Sequence, residues 1–248
     1  MEANPVTFSP RGGNPIYGQA IGIIMLDTRF PRIPGDIGNA TTFPFPVRYK
    51  IVLGASPQKV VIEADPALIE SFVDAAQELE REGVKAIATS CGFLSLFHQE
   101  LVEAVGIPVF TSSLLQVNMA YQIINKRKKV GILTALAESL TEKHFAGVGI
   151  QGIPMAVAGM DKTEEFRAVF FEGKAEIDIE KCKMEMVSVA RELINANPEV
   201  GAIVLECTNM PPFSQAVQRA VKLPVFDSVT MIKYAFLSVV HEKYTGYM

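Results

Sequence analysis

Short apolar runs alternate along this chain with longer stretches whose apolar residues recur three and four positions apart. Runs of the first kind occupy Ala20 to Asp27, Tyr49 to Leu53, Lys129 to Ala135 and Ile153 to Ala158, with AIATS at 86–90 and AIVLE at 202–206. Their length and composition mark them as strands. The clearest stretch of the second kind begins at Asp65, takes Pro66 as its first helical residue, and sets Leu68, Ile69, Phe72, Val73, Ala76 and Leu79 on one face before Gly83. Asp before Pro opens a helix and Gly closes one, so the spacing predicts a helix over this span. Two more are expected, from Ala175 to Ala196 ahead of Pro198, and from Met231 to Glu242.

The pattern occurs twice. Moving the chain along itself by 116 positions, the separation of Cys91 and Cys207, lays Val84 to Ser112 on Val200 to Ser228 without a gap, and 12 of the 29 pairs are identical. Each copy reads strand, turn, helix, strand, with a cysteine closing the first strand and Pro108 or Pro224 opening the second. Two further strands upstream complete each copy. Strands alternating with helices imply an α/β fold of two pseudosymmetric lobes, each with a mainly parallel four-stranded sheet flanked by helices. The first lobe is expected at 1–116 and the second at 117–228, with the C-terminal helix, 229–248, joining the first.

Composition narrows the class. The 248 residues are 49% hydrophobic and 20% charged, enough for a large core. Lys plus Arg number 23 against 27 for Asp plus Glu, a net charge of −4, and the longest basic run is Lys126 to Lys129. Nucleic-acid and anionic-membrane roles find no support in that balance. The first 18 residues are polar, with several Pro and Gly, and no apolar run is long enough to span a membrane, so a cytoplasmic protein is expected. Three cysteines, Cys91, Cys182 and Cys207, form no CxxC and point to reduced thiols.

Parallel α/β sheets bind ligands beyond the carboxyl ends of their strands, which is where Cys91 and Cys207 fall. A helix N-terminus beside each thiol is expected to lower its pKa and to offer N–H groups to a substrate carboxylate. Two lobes closing on each other would place the sulfurs on opposite sides of one molecule, as base and acid for proton transfer at carbon. Cys182, on a helix, reads as core.

TSCGF (Thr89 to Phe93) and LECTNMPPF (Leu205 to Phe213) resemble the two cysteine motifs of the aspartate/glutamate racemase superfamily, and the resemblance runs from Ile21 to Ile232. It implies a cofactor-independent, metal-free isomerase of amino acid metabolism, a homodimer or higher homo-oligomer, that racemises or epimerises a small carboxylate-bearing substrate between Cys91 and Cys207. Thr208 resembles the family's carboxylate-binding threonine. Asp27 and Thr28 match the aspartate and serine that open its first loop, and Thr134 matches a threonine region of the second lobe. Gly92 and Phe93 stand where glutamate racemases have Asn-Thr, and Asn209 stands where they have His, which argues against glutamate. An aspartate-like or other amino acid, or a non-amino dicarboxylic acid, fits better. Maleate isomerases and arylmalonate decarboxylases of the same superfamily, or an inactive two-lobed binding protein, are the alternatives.

Thr28 to Arg48 is long, rich in Pro, and carries Arg29, Arg32 and Arg48, any of which could clamp a carboxylate, and Asn39, a candidate amino- or carboxylate-binding group. Phe30, Phe43 and Phe45 are packing or pocket wall. Gly147 to Gly152 satisfies GxGxxG but follows a helix and precedes a strand, so it reads as a turn. His98, His144 and His241 read as surface or helix-end residues, and Asp161, Glu164 and Glu165 as a helix start and polar face.

Overall fold

The computed structural model describes residues 12–125 and 128–247; the start of the polar N-terminal stretch and Lys126-Arg127 of the basic run lie outside the described residues. Strands β1 (Ile21–Leu26), β2 (Val47–Val52), β3 (Ala86–Thr89) and β4 (Val109–Phe110) form one sheet in the order β2-β1-β3-β4. Strands β5 (Lys129–Thr134), β6 (Met155–Gly159), β7 (Val200–Leu205) and β8 (Val225–Phe226) form a second in the matching order β6-β5-β7-β8. Every pairing is parallel. β1, β3 and β7 are buried along their whole length, as central strands covered on both faces must be. The helices are α1 (Ile69–Arg81), α2 (His98–Glu103), α3 (Gln116–Ile123), α4 (Glu142–Gly147), α5 (Glu165–Phe170), α6 (Ile179–Ala196), α7 (Ser214–Val221) and α8 (Ser228–Val239).

Local chemistry sets their ends. Asp65 accepts the Ala67 N–H at 3.0 Å, a short turn with Pro66 follows, and α1 then buries Phe72, Ala75, Ala76 and Leu79. α6 begins at Ile179, later than the expected Ala175, because Asp178 accepts the Lys181 N–H and caps it. α8 starts earlier than expected, at Ser228. Asp227 accepts the Thr230 N–H at 2.7 Å while Thr230 Oγ1 accepts the Asp227 N–H at 2.9 Å. The GxGxxG segment is the end of α4 and a turn into β6. Glu165 departs from the expected polar face: it is buried, and its carboxylate accepts bonds from Lys174 Nζ and the Asp178 N–H.

α8 lies against the first sheet, where Ile232 and Ala235 pack with Ile21, Ile23, Ala86 and Ala88. Phe236 stacks on Phe45 at 3.8 Å between centroids, and Phe45 on Phe43 at 5.6 Å. Those two loop phenylalanines are packing, then, and α8 ties the C-terminal segment to the opening strand. Among the described residues no helix is long and apolar enough to cross a membrane.

Ile232 is fully buried between α8 and the sheet. Ile232→Ala is expected to lower the unfolding free energy by about 2–5 kcal/mol, the usual cost of such a truncation, measured as the shift in a urea unfolding midpoint.

Candidate active site

In each sheet the chain leaves its first strand for one neighbour and returns on the other side, so the crevice opens between β1 and β3 and again between β5 and β7. Such switch points are where parallel α/β sheets take ligands. Here the two crevices face one cavity, with an empty volume of about 440 Å³ including the part open to solvent. Leu26, Thr28, Ser90 and Cys91 reach it from the first lobe, and Ala135, Glu206, Cys207, Thr208 and Asn209 from the second.

Cys91 is buried at the start of a short helical turn, Gly92–Phe97, where the Leu94 N–H donates to the Cys91 carbonyl at 3.1 Å and the Phe93 and Leu94 N–H groups favour a negative sulfur without hydrogen bonding it. Burial nevertheless pushes the Cys91 thiol up to about 12, and the nearby Glu206 carboxyl adds to the rise. Burial and Glu206 raise Cys207 well above the ordinary thiol range as well. The lowered thiol pKa expected from a helix N-terminus is thus corrected. The nearby N–H groups do not offset removal of a thiolate from water. Cys207 Sγ donates to Asn209 Oδ1 at 3.5 Å. Cys182 is buried in α6, as core.

Glu206 was not foreseen. It is fully buried, its Oε2 accepts the Thr134 hydroxyl at 2.8 Å, and the nearby Ala135 N–H also favours the carboxylate. Its Oε1 has no hydrogen-bond partner among the described residues. Burial pushes its carboxyl up to about 7 against those two donors. A Cβ at Gly92 would overlap this carboxylate, which explains a glycine beside Cys91. The signal was present in the repeat: a Glu closing an apolar strand where Ser90 stands in the other copy.

Of the loop arginines only Arg32 reaches the cavity. Its Nη1 donates to Asp36 Oδ1 and its Nη2 to Thr28 Oγ1, both at 2.8 Å, and its guanidinium carbon lies 4.3 Å from the Phe30 ring centroid. Arg29 is exposed and pairs with Asp27 at 2.6 Å; Arg48 pairs with Glu82 and donates to Gln19. Asp36, also unforeseen, accepts from Asn209 Nδ2 at 2.8 Å and so links the loop to the second lobe. Thr208 Oγ1 donates to the Ser90 carbonyl at 2.5 Å, a second link between lobes. Phe30 and Phe93 form wall, joined by Phe170 and Phe171 of the α5 end.

Three expected contacts are corrected. Asn39 lies off the cavity, since its Oδ1 accepts from Thr41 and its Nδ2 donates to the Arg32 carbonyl, a local turn that uses both ends of the amide. Asp27 is turned toward Arg29 and the Gly54 N–H. Thr134 does not line the pocket but holds Glu206. His98 Nδ1 bonds Thr111 Oγ1, and His144 caps α4. Among the described residues no group of three or more His, Cys, Asp or Glu is placed to hold a metal ion.

Residues 55–232 match the family model for Asp/Glu/Hydantoin racemase. The chain belongs to this family. A mutant of arylmalonate decarboxylase in a sulfate-associated form superposes with a TM-score of 0.63 over 92% of this chain and 97% of its own, at 22% identity. A glutamate racemase isoform from Bacillus anthracis gives 0.59 over 89% and 82%, at 15% identity. Those likenesses show the fold. In sequence the chain is 32% identical to a dimethylsulfoniopropionate lyase from Durusdinium sp. clade D, over 89% of this chain and 75% of that one. It is 31% identical to dimethylsulfoniopropionate lyase 7 of Emiliania huxleyi (strain CCMP1516), over 85% of this chain and 64% of that one. These relatives overturn the expected isomerase. They are lyases, so the racemase, and the amino acid substrate expected with it, give way.

With both thiols held protonated, alkylation of folded, ligand-free protein by iodoacetamide is expected to be slow at pH 8 and still climbing at pH 10. A rate already level by pH 8 would mean a thiolate that this environment does not favour.

Proposed function

We propose that this family member is a lyase that cleaves a β-sulfonium carboxylate of the dimethylsulfoniopropionate type. The observation that carries the reading is one small cavity in which a thiol, a guanidinium and several aromatic rings meet. Each matches one part of such a molecule. Arg32 suits the carboxylate: a guanidinium has five N–H donors, and Asp36 and Thr28 orient it. Phe93, Phe170 and Phe171 suit the dimethylsulfonium, because ring faces attract a cation whose surface is mostly methyl. The similarity to named lyases supports the same chemistry.

Cys91 is the base in this reading, because it sits at the start of a helical turn whose Phe93 and Leu94 N–H groups favour negative charge on its sulfur. The Cys91 sulfur, having given up its own proton to the protein, takes the proton from the carbon next to the carboxylate and is a thiol again. The freed electron pair becomes the new C=C bond, the bond from the β carbon to sulfur breaks, and dimethyl sulfide leaves with the electrons of that bond. Acrylate remains and the proton stays on the protein. Neutralising the carboxylate at Arg32 makes the α proton more acidic, and the sulfonium supplies a neutral leaving group. Cys207, bonded to Asn209, lines the opposite wall and positions the substrate against Cys91.

Incubation with dimethylsulfoniopropionate is expected to release dimethyl sulfide into the headspace and acrylate into solution in equal amounts, followed by gas chromatography and proton NMR. Cys91→Ala should lower turnover at least about a hundredfold, as loss of a general base does. No dimethyl sulfide from the wild type, or full turnover by Cys91→Ala, would sink the reading.

A further inference from the structure

A buried carboxyl with one oxygen unpartnered lies near both thiols. Glu206 directly precedes Cys207, its Oε1 lies against Gly92 beside Cys91, and that oxygen has no hydrogen-bond partner among the described residues. Its other oxygen is held by Thr134, so Oε1 is aimed rather than free to turn. Buried polar atoms are almost always satisfied, and an exception at a cavity wall marks a place for a proton or a ligand atom.

We propose that Glu206 is the proton acceptor that works through Cys91: as the Cys91 sulfur takes the substrate's α proton, its own proton passes to Glu206 Oε1. The sulfur ends as a thiol again and Glu206 ends as a carboxylic acid, which then gives its proton to solvent. The single proton released in the elimination is thereby accounted for. A free thiolate never has to accumulate in a site that disfavours it, which is the role an adjacent base plays for other weak nucleophiles and bases. The titratable groups that face this carboxyl are Cys91 from the first lobe and Cys207 from its own strand end, and from the loop over the cavity Arg32 faces Cys91 and Asp36 faces Cys207.

The readout in turnover rests on the lyase reading; the thiol chemistry does not. At pH 8 Glu206→Gln is expected to release dimethyl sulfide at least about tenfold more slowly, within the usual range for a lost general base. The same variant should alkylate faster at Cys91 with iodoacetamide, because the negative charge that opposes thiolate formation is gone, by about tenfold for each unit the thiol falls. Slower turnover with faster alkylation supports the relay. Unchanged turnover, or a fall in both, overturns it, the latter being what a merely structural role gives. Wild-type turnover should rise with pH through about 7 as Glu206 ionises, and Thr134→Val, which keeps the carboxyl but removes a donor that holds its pKa down, should move that limb to higher pH. An unmoved limb overturns the proposal even if Glu206→Gln fails to fold. A wild type that releases no dimethyl sulfide fails the lyase reading instead, and the alkylation comparison then decides alone: faster alkylation supports the coupling and an unchanged rate overturns it.

Discussion

Desolvation at the meeting of two sheet ends governs this site. A carboxyl and one thiol are buried there beside a second, half-buried thiol, and each is biased toward its neutral form: Glu206 up to about 7, Cys91 up to about 12, Cys207 higher than its ordinary range. The same exclusion of water strengthens every attraction inside the cavity, because charges and dipoles interact more strongly where solvent does not screen them. Arg32 therefore counts for more toward a carboxylate here than Arg29, which lies 80% exposed at the surface.

That environment depends on the two lobes holding each other in place. Asn209 and Asp36 are joined across 173 positions of chain, Thr208 and Ser90 across 118, and Gln116 and the Asp227 carbonyl across 111. Each of the first two pairs ends on a residue next to, or two positions from, a cysteine. Bonds that close the lobes are thus the bonds that set the distance between the sulfurs. The cavity has the character of an interface whose contacts have been kept polar where a ligand must fit.

Much of this architecture was legible before any coordinates. The 116-position repeat exposed two equivalent lobes because a duplicated unit preserves both its strand periodicity and the register of its strand-end cysteines. Strand edges moved by a residue or two and the helices kept their faces, because burial along β1, β3 and β7 leaves few alternative registers. The loop from Thr28 to Arg48 was different. Asn39 looked like a ligand group until its amide proved to be used within its own turn, and Arg32 could not be separated from Arg29 and Arg48 because its partners Asp36 and Thr28 are set by the loop's course over the other lobe. Thiol acidity was misjudged for a similar reason. Local N–H donors are visible in sequence, whereas depth of burial is not.

The same constraint bears on why a racemase fold would accommodate the proposed lyase. Racemisation must return a proton to the face opposite the one it left, which requires two acid–base groups of matched strength across the substrate. Elimination returns none: the electrons freed at the α carbon go into a double bond and out with the leaving group. A single base and a route for its proton suffice, so the second thiol is free to become a wall. The departures at Gly92, Phe93 and Asn209 follow that logic, since amino-group donors beside the first cysteine and a proton carrier beside the second have no work in an elimination. The Glu206 carboxylate occupies the space a Gly92 side chain would need, and Phe93 lines the cavity with an aromatic ring that would suit the methylated cation of the proposed substrate.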